Sequence, residues 1–228
     1  MELFPRAGMR ICFYVLSFLV VALASPSGWS DGEVWRLEKD KDGIQVYTRA
    51  VEGWSIREFK GVTRIRAALS SLVAVIDDIS ASHELTDVVS EAQIEHRESD
   101  TRYQVYSAMK MPWPIADRDI LNQREIVQDR NSLAVTITDV AIEDPSPHRK
   151  GLVHILKSHS QWLLVPTPDG SILVEMQTLS DPAGIPASII NVMSVNTPFV
   201  TLSKLREMAQ RAQYVHAKLP FIEDAAVQ

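Results

Sequence analysis

Residues 185–215 read IPASIINVMSVNTPFVTLSKLREMAQRAQYV. Ile189, Val192, Met193, Phe199, Val200, Leu202, Leu205, Met208, Ala209, Ala212 and Val215 recur there at helical spacing. The spacing predicts one amphipathic helix of about thirty residues. Pro186 occupies a first-turn position, where its missing N–H costs nothing, just after Pro182-Ala-Gly184. Pro198 falls inside the pattern and is expected to kink the helix or divide it into two packed segments. Pro198 and Gly184 are the expected hinge points, one for its missing donor and the other for its permissive dihedrals.

Upstream of this helix, back to Trp35, the chain reads mostly as strand. Ile44–Arg49 is β-rich and follows the turn dipeptide Asp42-Gly43. Ile56–Ile65 alternates like a half-exposed antiparallel strand. Ala67–Ile79 breaks the alternation: Leu69, Leu72, Val73 and Ile76 predict a helix of about three turns. Strand patterns resume at Val88–His96, Arg102–Met111, Asp117–Gln128, Leu133–Ile142, Leu152–Val165 and Ser171–Leu179. Asp129-Arg-Asn131 and Pro166-Thr-Pro-Asp-Gly170 are turns by composition. Hairpin-length connections imply an antiparallel sheet, and one long helix must cover a face of it. The expected class is α+β, with a curved sheet gripping the C-terminal helix.

Composition narrows the function. The 228 residues carry a net charge of −6, which argues against non-specific nucleic-acid binding. The single cysteine, Cys12, excludes a disulfide framework within the chain. Arg6 and Arg10 precede the apolar run Ile11–Ala24, and Ala22-Leu-Ala24 then offers small residues at the positions a signal peptidase reads. That run would rise only about 21 Å as a helix, short of a hydrocarbon core of roughly 30 Å. Residues 1–24 are therefore expected to be a cleaved signal peptide, with export to a periplasmic or extracellular compartment. Residues 25–34 then form a short lead, 35–217 the folded domain and 218–228 a tail.

Three blocks carry a resemblance. Trp35-Arg-Leu-Glu-Lys-Asp-Lys-Asp-Gly-Ile44-Gln-Val-Tyr-Thr-Arg49 resembles the first two strands of the START (StAR-related lipid transfer) family. Met111-Pro-Trp-Pro-Ile-Ala-Asp-Arg-Asp119 resembles its proline-containing turn into an Arg-Asp strand. Asp181-Pro-Ala-Gly-Ile-Pro-Ala-Ser-Ile-Ile-Asn191 resembles the approach to its C-terminal helix. The blocks occur in family order and span nearly all the chain beyond the leader; bacterial members with signal peptides look most similar. The resemblance implies a helix-grip fold, an apolar tunnel between sheet and helix, and one bound lipid or sterol-like molecule that is carried or presented. It implies no cofactor and is compatible with transient membrane contact. Ser80–Glu91 does not align with the family pattern, and headgroup selectivity resides partly near there.

A lipid tunnel needs apolar walls and a few polar groups to orient a headgroup. Met109, Met111, Leu133, Val135, Ile137, Val174 and Met176 alternate suitably along their strands, and Ile189, Met193, Phe199 and Val200 would face them from the helix. Each also suits plain core packing. Arg118 matches the family arginine that points into the tunnel and, if buried, needs an acidic or ligand partner. Asp117 and Asp119 point away from it in a strand, which leaves Glu84, Asp87 and Glu91 as candidates. Surface capping of a turn by Arg118 is the competing reading.

Catalytic signals are weak. His83-Glu-Leu-Thr-Asp87 resembles a zinc-protease helix but has Asp87 where the second histidine belongs. His148, His154 and His159 cluster only in sequence, since 154 and 159 have opposite parity on a strand. There is no nucleophile elbow, phosphate loop or EF-hand pattern. The expected function is non-enzymatic ligand binding. A pocket enzyme of the polyketide cyclase type, acting on a hydrophobic substrate, is the alternative, and a partner-binding module with a closed tunnel is a third reading.

Overall fold

A computed structural model of the chain describes residues 34–143, 149–181 and 183–224. The expected signal peptide, most of the lead, His148 and residues 225–228 lie outside the described residues.

The chain opens with strands β1 (Arg36–Lys41), β2 (Ile44–Ala50) and β3 (Arg57–Ile65). The β1–β2 turn falls at Asp42-Gly43, where both residues have positive φ (53° and 71°), as a two-residue hairpin with the right twist requires. Helix α1 (Leu69–Asp77), a single turn at Ile79–Ala81 and the short α2 (Ser82–Leu85) follow. The chain returns to the sheet as β4 (Val89–Arg97), β5 (Arg102–Met109), β6 (Arg118–Gln128), β7 (Val135–Ala141), β8 (Val153–His154), β9 (Ser158–Pro166) and β10 (Ile172–Ser180). It ends in α3 (Ala187–Met208) and α4 (Ala212–Val215).

Nine of these strands form one antiparallel sheet in the order β1-β2-β3-β10-β9-β7-β6-β5-β4. The long step from β3 to β10 means that the chain's two ends meet at mid-sheet, and α3 then lies over β2 and β3. The expected strand Leu152–Val165 is two. Val153 and His154 pair in parallel with Arg118 and Asp119, and only after Ile155–Lys157 does the chain cross to pair β9 with β7. Leu133 lies not in β7 but in the preceding turn with φ of 57°, because the Asp129 carboxylate accepts from the Asn131 and Ser132 amides and extends that turn.

Pro198 does not divide the C-terminal helix. Helix α3 runs through it without interruption, and the break comes at Ala209–Arg211, where Arg211 is extended (ψ 146°). Pro198 is instead a packing point. A Cβ built on Gly61 of β3 would lie 2.7 Å from Leu202 Cδ1, 3.1 Å from Pro198 Cβ and 3.4 Å from Met176 Cγ. Only a residue without a side chain lets the helix sit this close to the sheet.

The core lies beneath the C-terminal half of α3. Leu202, Leu205 and Met208 meet Ile44, Val46, Val174, Leu164, Val135 and Ile137, while Leu69, Leu72, Val73 and Ile76 of α1 close the same end of the cup. Each such buried side chain is worth about 1.5–3 kcal/mol. Leu219, Phe221 and Ile222 pack on this core, and Asp224 caps α1 by accepting from the Ser70 amide at 2.8 Å. The packed region thus continues past residue 217.

Candidate ligand-binding site

Cross-strand register sorts the concave face into rows. Val46, Gly61, Met176, Trp162, Ile137 and Ile126 form one, and Ile44, Thr63, Val174, Leu164 and Val135 the next. Val135, Ile137 and Val174 are 0% exposed, so these three predicted lining residues belong to the filled core, and Met176 is nearly as buried. Toward the other end of the strands the same face opens. Phe59, Thr178, Ser160, Ser158 and Met109 point inward by register yet are only half-buried. Met111 is half-buried just beyond β5 and donates its amide to Asp117 at 2.9 Å.

Helix α3 is divided in the same way. Its second half is fixed: Arg206 donates to the Asp42 carbonyl and to Thr63 Oγ1, and Lys204 pairs with Asp87. Beyond it, Arg211 pairs with Glu84. In its first half Met193 and Val195 are half-buried and Ile189 is 38% exposed, and Phe199 and Val200, just past the midpoint, are half-buried as well. The Lys39 ammonium sits 3.8 Å above the Phe199 ring, a cation–π contact at the rim. Of the helix residues expected to face a ligand, Met193, Phe199 and Val200 are half-buried, Phe199 packing against the edge of the core, and Ile189 lies near the helix start with more than a third of its surface exposed.

Arg118 is buried on the inward side of β6 and donates to the backbone carbonyls of Ala116 and Ala183, which ties β6 to the loop leading into α3. Burial holds its guanidinium below the ordinary arginine value, with Asp117 opposing. The three acids proposed as its partners hold other cations: Glu84 holds Arg211, Asp87 holds Lys204 and Glu91 holds Arg149.

The buried charge pair of this face lies six residues further along the same strand. Arg124 makes a bidentate pair with Asp139 of β7, both bonds 2.8 Å, and donates to the Ile76 carbonyl at 3.0 Å. Tyr103 donates to Asp77 beside it. Burial works against the Arg124 charge, but Asp139 outweighs it and the guanidinium stays above its ordinary value. Burial lifts Asp77 above the usual carboxylate range, partly offset by the Tyr103 hydrogen bond. The signal for this pair is the period-two alternation of β6, which puts Arg124 on the same face as Arg118, opposite Asp139 of β7.

A second buried polar group lies on the convex side. Asp119 accepts from Tyr106 Oη at 3.1 Å and contacts His154 Nδ1 at 2.9 Å, under Leu152 and Ile142. It pins β8 against the sheet. His159 is exposed on β9, apart from His154. Within His83-Glu-Leu-Thr-Asp87, His83 contacts the Ser80 carbonyl, and the two acids are paired as above. Among the described residues no three His, Cys, Asp or Glu side chains gather closely enough to hold a metal ion.

This architecture has a solved counterpart. A StAR-related lipid transfer protein fragment from Xanthomonas axonopodis superimposes with a TM-score of 0.71 at 36% identity, covering 79% of this chain and 100% of that one. The chain belongs to the START family. An uncharacterised Pseudomonas aeruginosa protein is 29% identical over 199 residues, 86% of this chain and 96% of that protein. The mouse phosphatidylcholine transfer protein is 24% identical over 219 residues, 93% and 99% of the two chains. No family model matches the sequence. The START relatives with a stated role are named as transfer proteins, not enzymes.

Proposed function

We propose that this START protein binds one lipid-class molecule between the open half of the concave face and the first half of α3, and carries or presents it. The observation that carries the reading is that Phe59, Thr178, Ser160, Ser158 and Met109, inward-facing at one end of the cup, are only half-buried, while Ile44, Val174, Leu164 and Val135, inward-facing at the other, are 0% exposed. Membership in a family whose named members transfer lipid supports it.

Magnitudes suit a carrier. Ten buried methylenes contribute about 8 kcal/mol relative to water, and association costs at least about 4 kcal/mol. A bilayer offers the tail nearly the same burial, so the net preference is small and the ligand can be unloaded. Trp113, 93% exposed, Leu156, 64% exposed, and Ile189 lie in segments that meet at the open end, since Arg118 bridges the β5–β6 loop to Ala183 and Asp181 bonds to Lys157. These residues, flanked by exposed Lys110 and Lys157, suit transient contact with an anionic membrane surface. Export by cleavage after Ala24 would place this exchange outside the cytoplasm.

The test is native mass spectrometry of protein purified without detergent, followed by identification of the extracted lipid. One lipid per chain supports the reading. Ligand that is chemically altered during incubation would favour a pocket enzyme, and an empty chain that takes up no added lipid would refute the carrier.

A further inference from the structure

The walls of the open half are not the apolar surface that a hydrocarbon chain alone would call for. Ser107 of β5, Asn122 of β6, Ser158 and Ser160 of β9, and Thr178 and Ser180 of β10 all lie on the inward parity of their strands. Register makes most of them neighbours: Thr178 opposes Ser160, and Ser180 opposes Ser158. Asn122 stands opposite Val105 and Ala141. All six are half-buried, and none hydrogen-bonds through its side chain to another described residue. Asn122 Oδ1 is fully buried and unpartnered. An orphaned buried acceptor is costly unless something donates to it.

The charges on this face are already committed. Arg124 is held bidentately by Asp139, Arg57 donates to Thr48, and Arg118 donates to two backbone carbonyls. A phosphate seated there would have to draw one of these arginines from its partners, whereas a hydroxyl, ester or amide would meet hydroxyls and an amide that have none among the described residues.

Resting on the lipid-binding reading, we infer that the ligand is a lipid whose buried portion carries several uncharged hydrogen-bonding groups, recognised by the hydroxyl row and Asn122. A phosphate-headed lipid is not the preferred guest of this surface.

The test uses the full mature chain and two fluorescent ligands, a labelled diacylglycerol and the bare hydrocarbon diphenylhexatriene. A Ser158→Ala/Ser160→Ala/Thr178→Val variant keeps nearly the same shape while deleting three hydroxyls. It should bind diacylglycerol at least tenfold more weakly than wild type and diphenylhexatriene as well or better, which also shows that the variant is folded. The single Thr178→Val variant should shift the ratio of the two affinities in the same direction. An unchanged ratio in both variants, or displacement of diacylglycerol by equimolar phosphatidylcholine, overturns the inference while leaving lipid binding intact. Failure of wild type to bind either ligand overturns the lipid reading itself.

Discussion

Gly61→Ala probes the contact on which the grip rests. The glycine's φ lies outside the left-handed region, so alanine meets no backbone objection. On backbone grounds alone the change should stabilise by about 0.4–1 kcal/mol, because alanine restricts the unfolded chain. Packing argues the other way. The new methyl would sit 2.7 Å from Leu202 Cδ1 and 3.1 Å from the rigid Pro198 ring. Leu202 is 0% exposed and cannot swing aside without meeting other core residues, so α3 must lift. Overpacking costs about 1–3 kcal/mol, and a contact as short as 2.7 Å to a side chain that cannot move puts this case at about 2–2.5 kcal/mol, which leaves a net loss of about 1–2 kcal/mol. With a urea slope of about 2 kcal/mol per molar, the unfolding midpoint falls by about 0.5–1 M. Leu202→Ala costs about 2–5 kcal/mol alone. It should also absorb part of the Gly61→Ala penalty, so that the double variant is less destabilised than the sum by about 1 kcal/mol. Equilibrium urea unfolding followed by circular dichroism measures all four proteins. A midpoint for Gly61→Ala equal to or above wild type, or strict additivity, would refute the close approach of helix and sheet.

Arg124→Met leaves Asp139 buried beside Asp77 without its counter-charge and should destabilise by about 3–5 kcal/mol, most of it recovered in Arg124→Met/Asp139→Leu, as read by the same unfolding assay. Burial, followed by the Asp119 charge and hydrogen bond, raises the Tyr106 phenol to about 12. An unfolded tyrosine titrates near pH 10, so the stability tied to neutral Tyr106 is complete below pH 10. It is lost as pH rises to 12, on the order of 1–3 kcal/mol. Tyr106→Phe should flatten that alkaline decline, and ultraviolet titration should show one fewer high-pH phenol. Trp113→Ser should reduce binding to anionic vesicles severalfold while changing stability by no more than about 0.5 kcal/mol; equal vesicle binding would remove that loop from the membrane contact. The intact mass of the protein recovered after export should correspond to a chain beginning at Ser25.

Much of the fold was legible because two periodicities dominate the chain. Alternation located the strands, and the 3.6-residue spacing of Leu202, Leu205, Met208 and Ala209 located the helix that covers the sheet. What a local pattern cannot supply is a partner's identity. Pro198 looks like a helix breaker until Gly61, far away in sequence, provides a flat surface for its ring. Leu152–Val165 looks continuous until β8 is seen pairing with β6 and β9 with β7. The site suffered in the same way. Alternation marks Val135, Ile137 and Val174 as inward but says nothing about which end of a strand α1 and α3 fill, and these three fall at the filled end. Arg118 was legible as inward, whereas its three candidate acids were engaged by Arg211, Lys204 and Arg149 from distant segments. The serines and Thr178 at the open end share the inward parity but not the methyl groups by which a lipid wall is legible in a sequence.

Whether a lipid occupies the open half of the cup is read by a fatty-acyl ligand bearing a diazirine, photolysed in complex with the protein and mapped by peptide mass spectrometry. The predicted adducts lie on Met109, Met193 and Phe199. Labelling confined to the convex-face residues Val127 and Val140, or to Val135, Ile137 and Val174 in the core, would contradict it.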